Sequence, residues 1–372
     1  MPFADELIGR GTAEALADAV SAVRSGAAPA ALRAAADGLG GLALRARSDL
    51  LRDALLTDVP GDYASLAATV RAALHGDLPF EGWMIWPVGG AVATRAVAQA
   101  RAGETTEPVD DALRLLAELT GRFTSEFALR VLLAHDPDRA LAAARAWTAS
   151  DDPAVRRLAS EGTRPYLPWA ARVPALLAEP RSTLPILDAL YRDENEDVRR
   201  SVANHLNDLS RQHPGLVVET ATAWLARSDP HTARLVRHGL RTLVKQGRPD
   251  ALALLGFAPV EVDVTGPTVV SAGVPFGGEV VFTATVVNTG PAPARIAVDY
   301  VIHHHAASGK PRPKVFKLTT RTLGAGEALA LRREHSFRAI TTRRYHPGPH
   351  AVELQVNGVR SARAAFDLLP PE

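Results

Sequence analysis

Two fold classes follow one another in this multidomain chain, an all-α helical-repeat region over residues 1–258 and an all-β sandwich over residues 259–372, and three observations predict them. From about Ala13 to Gly256 the sequence is rich in Ala, Leu and Arg, with apolar residues at the helical period broken by Asp-Pro, Gly-Asp, Ser-Asp and Glu-Pro pairs. Within that stretch Asp152-Pro-Ala-Val-Arg-Arg157-Leu, Asn195-Glu-Asp-Val-Arg-Arg200-Ser and Asp229-Pro-His-Thr-Ala-Arg234-Leu resemble one another at spacings of 43 and 34 residues. Such spacings fit a solenoid of paired helices, in which each unit buries its apolar face only against its neighbours. After Gly256-Phe257-Ala258-Pro259 the apolar period changes to two, the period of strands.

Each helix opening has its own physics. Asp152, Asn195 and Asp229 are N-cap types whose side chains accept from free backbone N–H groups, and a proline after the cap suits the first turn. The second opening runs into Val198–Pro214, VRRSVANHLNDLSRQHP, where Val198, Val202, Leu206 and Leu209 form the buried stripe. That leaves Arg199, Arg200, Asn204, Asn207, Asp208 and Arg211 for solvent, a partner or a reacting centre. After the third opening, Arg234, Arg237, Arg241 and Lys245 recur at steps of 3, 4 and 4 and predict one basic face on a single helix.

In the second half Val260, Val262 and Val264, then Val280 to Val286, Ile296 to Ile302 and Val352 to Val356 alternate with polar residues. Turn signals at Asn288-Thr-Gly-Pro291, Leu323-Gly-Ala-Gly326 and Asn357-Gly358 separate them. About seven strands in roughly 110 residues predict an immunoglobulin-like sandwich, here without a Cys pair or a Trp.

Composition narrows the function. The absence of Cys excludes disulfides, thiolate metal sites and a Cys nucleophile, and fits a reducing compartment. No apolar run approaches the roughly 18 residues of a membrane span, and Met1–Arg10 carries Asp5 and Glu6 instead of the apolar core of an export signal. A cytoplasmic location and no membrane partner are therefore expected. The net charge is only +1, but from Pro259 onward 13 Lys and Arg stand against 9 Asp and Glu, beside six His. A local basic face can attract a polyanion whatever the total, because salt confines the field to about a Debye length.

Four strings carry a resemblance. Ser125-Glu126-Phe127, the run from Arg156 to Pro165 (RRLASEGTRP), Trp169 just beyond it, and Val202-Ala-Asn-His-Leu-Asn-Asp208 resemble motifs of the bacterial AlkC family of alkylpurine DNA glycosylases. The resemblance covers most of the helical region and continues at His303-His304-His305, Lys314-Val-Phe-Lys317 and Arg343-Arg344-Tyr345 through Gly348. It implies HEAT-like repeats and hydrolysis of the N-glycosidic bond of cationic alkylated bases such as 3-methyladenine in double-stranded DNA. It further implies that no cofactor takes part, that the lesion is approached without full base flipping, and that Glu126, Glu161, Trp169 and Asp208 form the catalytic set.

Those residue types suit that chemistry. Breaking an N-glycosidic bond develops positive charge on the sugar, which neighbouring carboxylates stabilise while orienting water. An alkylated base already carries a positive charge and leaves without a strong general acid, and a Trp face attracts such a cation. Pro165 and Pro168 interrupt the helix before Trp169 and favour an exposed ring there. Trp147 and Trp224 sit in Ala- and Leu-rich contexts and read as core; Trp83 and Trp86 read as packing between repeats, outside the site.

A duplex demands cations aligned to phosphates. Arg156, Arg157, Arg199 and Arg200 hold equivalent places in two repeats and, with Asn204, His205, Arg234, Arg237, Arg241 and Lys245, are expected to form a basic concave stripe. Arg343 and Arg344, close in sequence to Arg332, Arg333, Arg338, Tyr345 and His346, are expected to clamp the other side of the duplex. The three consecutive His invite a zinc site, but alternation along a strand leaves at most His303 and His305 on one face, so no metal is expected and contact with phosphate or water is. A monomer suffices for such a clasp. A non-catalytic helical scaffold binding DNA or a protein remains the other reading.

Overall fold

The computed structural model describes residues 4–24, 28–103, 105–307, 310–340 and 343–371. Its helices are α1 (Ala4–Leu7), α2 (Arg10–Val23), α3 (Ala30–Asp37), α4 (Leu44–Asp58), α5 (Tyr63–Leu74), α6 (Ile85–Gly103), α7 (Glu107–Thr120), α8 (Glu126–His135), α9 (Pro137–Trp147), α10 (Pro153–Glu161), α11 (Pro174–Ala178), α12 (Leu184–Leu190), α13 (Glu196–Leu209), α14 (Pro214–Ala226), α15 (Thr232–Gly239), α16 (Arg241–Lys245) and α17 (Pro249–Leu254). Two compact units emerge, one from residues 1–213 with Trp224–Gly239, the other from Pro214–Ala223 with residues 240–372. No helix among the described residues is long and apolar enough to cross a membrane.

In the first unit helices pair as the repeats predict: α5 with α6, α7 with α8, α9 with α10 and α12 with α13. The first members, α5, α7, α9 and α12, stack as one layer, while α4, α6 and α8, and then α10, α13 and α15, stack as the other. The openings cap as expected. Asp152 accepts from Ala154 N at 2.8 Å, Asn195 from Asp197 N at 2.8 Å, and Asp229 from Thr232 N at 2.8 Å. Two glycines let the second layer close up. A Cβ at Gly162 would lie 2.6 Å from Leu129 Cδ2, and one at Gly239 would lie 2.8 Å from Leu206 Cδ2.

The second unit contains strands β1 (Val262–Val269), β2 (Gly273–Val274), β3 (Glu279–Asn288), β4 (Ala294–His304), β5 (Arg312–Leu323), β6 (Ala328–Ser336), β7 (Gly348–Val356), β8 (Val359–Arg360) and β9 (Ala364–Leu368). Among the described residues seven of them are five residues or longer, in line with the about seven that the alternation predicts. One sheet runs β1-β3-β6 and the other β2-β9-β7-β4-β5, with β8 on β7. Alternate residues of both sheets, among them Phe282, Val286, Ile296, Tyr300, Leu354 and Phe366, make the shared core.

Candidate active site

Successive helices of the second layer supply the three acidic residues singled out in the sequence. Glu126 opens α8, Glu161 closes α10 and Asp208 lies near the end of α13. All three are buried, at 8%, 7% and 2% exposure. Of the alternatives open to the polar residues of α13, solvent is removed for Asn207 and Asp208: α13 is enclosed on more than its apolar stripe, and Asn207 is buried as well.

Burial of unpaired carboxylates would cost several kcal/mol each, and two arginines offset it. Arg157 Nη1 donates to Glu126 Oε2 at 3.2 Å, and its Nη2 lies 4.0 Å from Glu161 Oε1. Arg164 Nη1 donates to Glu161 Oε1 at 2.6 Å, and its Nε donates to Asp208 Oδ2 at 2.9 Å. Glu161 Oε2 accepts from Ser201 Oγ at 2.6 Å, and Glu126 Oε2 from Thr124 Oγ1 at 2.8 Å. Charges therefore alternate along Glu126, Arg157, Glu161, Arg164 and Asp208, and the Arg130 guanidinium adds a third positive charge near Arg164 and Asp208. Burial raises the Glu126 carboxyl above its ordinary range and the Glu161 charge adds to this, while Arg157 opposes it.

Arg130 of α8 ties this cluster to the Trp169 segment. Its Nη1 donates to Gly162 O at 3.2 Å and Arg164 O at 2.6 Å, and its Nε to Ala171 O at 3.1 Å. Burial, with the charges of Arg172 and Arg164, pushes this guanidinium down to about 10. Trp169 itself is 53% exposed and has φ +62°, a left-handed conformation that costs a non-glycine residue about 1–3 kcal/mol. Together with Trp86, Phe127 and Arg130 it lines a cleft of about 520 Å³. Trp86 stacks on Phe127 at 4.0 Å between ring centroids, and Trp83 lies 6.5 Å from Trp169. Trp83 and Trp86, set aside in the sequence, thus adjoin the candidate residue. Trp224 is core, stacked on Tyr191, but Trp147 is only half-buried.

The residues expected to contact DNA divide. Arg156 corrects the stripe: it is buried, its Nε and Nη2 donate to Asp193 at 2.7 and 3.0 Å, and its Nη1 serves the carbonyls of Ser150 and Asp151. His205 is a second correction. It is fully buried against Ser160 O at 3.0 Å and held neutral, pushed down to about 3 by burial, so no phosphate reaches it. Arg157 is occupied by the carboxylates. Arg199 Nη1 donates to the carbonyls of Asp193 and Glu194, Arg200 pairs with Asp197, and Asn204 Oδ1 lies 3.1 Å from His238 Nε2. Arg234 is exposed and 3.0 Å from Glu196; Arg237 is exposed too. Arg199, Arg200, Arg234, His231 and His238 line a shallow depression of about 210 Å³ with Glu196.

The single basic helix is also corrected. It breaks at Leu240, after Gly239, a residue of poor helix propensity, so Arg241 and Lys245 belong to α16 and not to α15. In the second unit Arg343 Nη1 lies 3.2 Å from His304 Nε2, and Arg344 is exposed. Within the His run, His303 does not meet water: it is buried with Nε2 3.0 Å from Glu353 Oε1, and His304 is buried among aromatic rings, while His305 is half-buried. Glu353, distant in sequence, is a carboxylate that strand pairing brings to His303. Among the described residues no group of three or more His, Asp or Glu could hold a metal ion.

Arg164, Ser201 and Arg130 complete the cluster without having been singled out. Arg164 had a signal, since it stands three residues after Glu161 within the RRLASEGTRP run; Ser201 and Arg130 had none.

Residues 119–241 match the family described as DNA alkylation repair enzyme, and residues 263–370 match the C-terminal Ig-like domain described for the uncharacterised protein YhaZ. YhaZ of Bacillus subtilis strain 168 is 36% identical over 250 residues, 67% of this chain and 69% of that protein. The Pseudomonas fluorescens alkylpurine DNA glycosylase AlkC, solved bound to DNA containing an abasic site analog, is 34% identical, with a TM-score of 0.84 over 99% of this chain and 100% of that one. The chain belongs to the AlkC family. Its helical repeats followed by an Ig-like sandwich are the AlkC architecture, and the charge cluster lies within the residues that match the repair-enzyme family.

Proposed function

We propose that this AlkC-family protein is a monofunctional DNA glycosylase that hydrolyses the N-glycosidic bond of cationic alkylated bases such as 3-methyladenine in double-stranded DNA. The observation that carries this reading is the convergence of Glu126, Glu161 and Asp208, from three helices, into one buried cluster of carboxylates. Carboxylates fixed in a low-dielectric site stabilise a cationic sugar most as the bond breaks. In this reading Glu161 and Asp208 stabilise the sugar and orient water, Glu126 completes the cluster, and the exposed Trp169 faces the cation. Similarity to AlkC, whose solved complex holds DNA with an abasic site analog, supports the substrate class.

The helical part, residues 1–258, would carry the chemistry, and residues 259–372 a second DNA contact through Arg343 and Arg344. Arg199, Arg200, Arg234, Arg237, Arg241 and Lys245 are the remaining phosphate contacts in this reading, with Asn204 beside them; Arg157 would join them only by leaving Glu126. Hydrolysis without full base flipping is part of the reading. The place of action is the cytoplasm.

The test is release of free methylated bases from methylated duplex DNA against an enzyme-free control. Glu161→Gln and Asp208→Asn are expected to abolish release of 3-methyladenine while leaving duplex affinity largely intact. Duplex binding without any release by the unaltered protein would favour the non-catalytic scaffold.

A further inference from the structure

The two arginines that pair with the carboxylates are not equivalent. Arg157 keeps a third of its side chain exposed and holds its carboxylates at 3.2 and 4.0 Å, whereas Arg164, Glu161 and Asp208 each expose less than a tenth of theirs. Glu161 ends α10 and Asp208 lies on α13, so the spacing of the two carboxylates depends on side-chain ties between helices. Two of these ties end on the carboxylates themselves. The Arg164 guanidinium bonds both carboxylates at once, and Ser201, also on α13, donates to the other oxygen of Glu161.

We infer that Arg164 is a positioning residue that, with Ser201, holds Glu161 and Asp208 as one charged pair at fixed spacing for glycosidic cleavage, without itself touching DNA. The inference rests on the glycosylase reading. A planar guanidinium presents several N–H donors in a rigid fork and serves two carboxylates on different helices; an ammonium is a single point charge. Without the guanidinium Asp208 loses its ion pair and Glu161 keeps only Arg157 at 4.0 Å, and like charges so weakly offset drive one carboxylate to take a proton. The site would then lose the charge that the cationic sugar requires, and a small misplacement of the other carboxylate would add to the loss.

The experiment uses the full chain and single-turnover release of 3-methyladenine from methylated duplex between pH 5 and 9, with duplex affinity measured in parallel. Arg164→Met is expected to slow release by about 10²–10³-fold, with affinity unchanged within about threefold. The acid limb of its rate profile moves to higher pH by about one unit or more. Arg164→Lys recovers part of both rate and limb. Ser201→Ala costs about tenfold, and combined with Arg164→Lys it loses less than the product of the single effects, because both act through Glu161. If circular dichroism shows Arg164→Met unfolded, the Lys and Ala variants carry the test. Profiles of these variants that superimpose on the unaltered protein's, or affinity that falls in step with rate, overturn the role of Arg164. An unaltered protein that releases no base from any alkylated duplex overturns the glycosylase reading, and this inference with it.

Discussion

At the scale of single residues, Glu126 shows what burial does to a charge that one ion pair only partly offsets. Its carboxyl stands above the ordinary range because burial and Glu161 together outweigh Arg157. A carboxyl raised in the folded state contributes stability that is present below its ordinary value and lost as pH rises through the raised one. Glu126→Gln, which stays neutral throughout, should therefore gain in melting temperature relative to the unaltered protein as pH rises from about 4 to 7. A difference that is flat or runs the other way would contradict the assignment. Trp169 is the other residue whose state is not explained by its own preference. Its left-handed backbone and exposed ring follow Pro165 and Pro168, and the carbonyl bonds from Arg130 hold the segment in place.

Among elements, the second helical layer is where sequence and site meet, because its helices carry the acids and their spacing sets the distances between them. Gly162 follows Glu161 and sits against Leu129 of α8, with Leu158 O 3.0 Å from where a Cβ would be. Gly162→Ala should push α10 from α8 and destabilise the fold by about 1–3 kcal/mol, the usual cost of overpacking. Urea unfolding measures it, and unchanged stability would mean that the layer adjusts freely. The basic helix expected over 234–245 failed for a related reason. Cationic spacing at helical steps says which residues share a face only if the helix continues, and here it ends at Gly239, packed against Leu206.

In the molecule as a whole, acid sensitivity is expected in the sandwich as well as at His205 of α13. Burial pushes His304 down to about 3 and His335 to about 4, with Arg343 adding to both, and lowers His350. Stability from neutral buried histidines is present above their ordinary value of about 6.5 and is lost as pH falls toward these depressed values, at about 1.4 kcal/mol per pH unit for each ring protonated on unfolding. The sheet signal should accordingly unfold on acidification from pH 7 to 4, and His335→Phe, which packs among Phe316 and Phe337, should flatten that slope by about one proton. A slope that His335→Phe leaves untouched would place the acid response elsewhere.

Periodicity by itself determined the succession of helical repeats and sandwich, because the change from a helical period to a period of two reports directly on which faces are buried. The capping residues Asp152, Asn195 and Asp229 were equally legible, since a cap bonds only the next few backbone groups. The family motifs named Glu126, Glu161 and Asp208 within one string each, but a string cannot say that they meet. Only the packing of α8, α10 and α13 decided that, together with the placing of Arg164 and Ser201 between them. Tertiary structure likewise withdrew Arg156 and His205 from the surface, and set Glu353 against His303. A side chain's partners across helices and strands are fixed by distances in space, which separation along the chain does not encode.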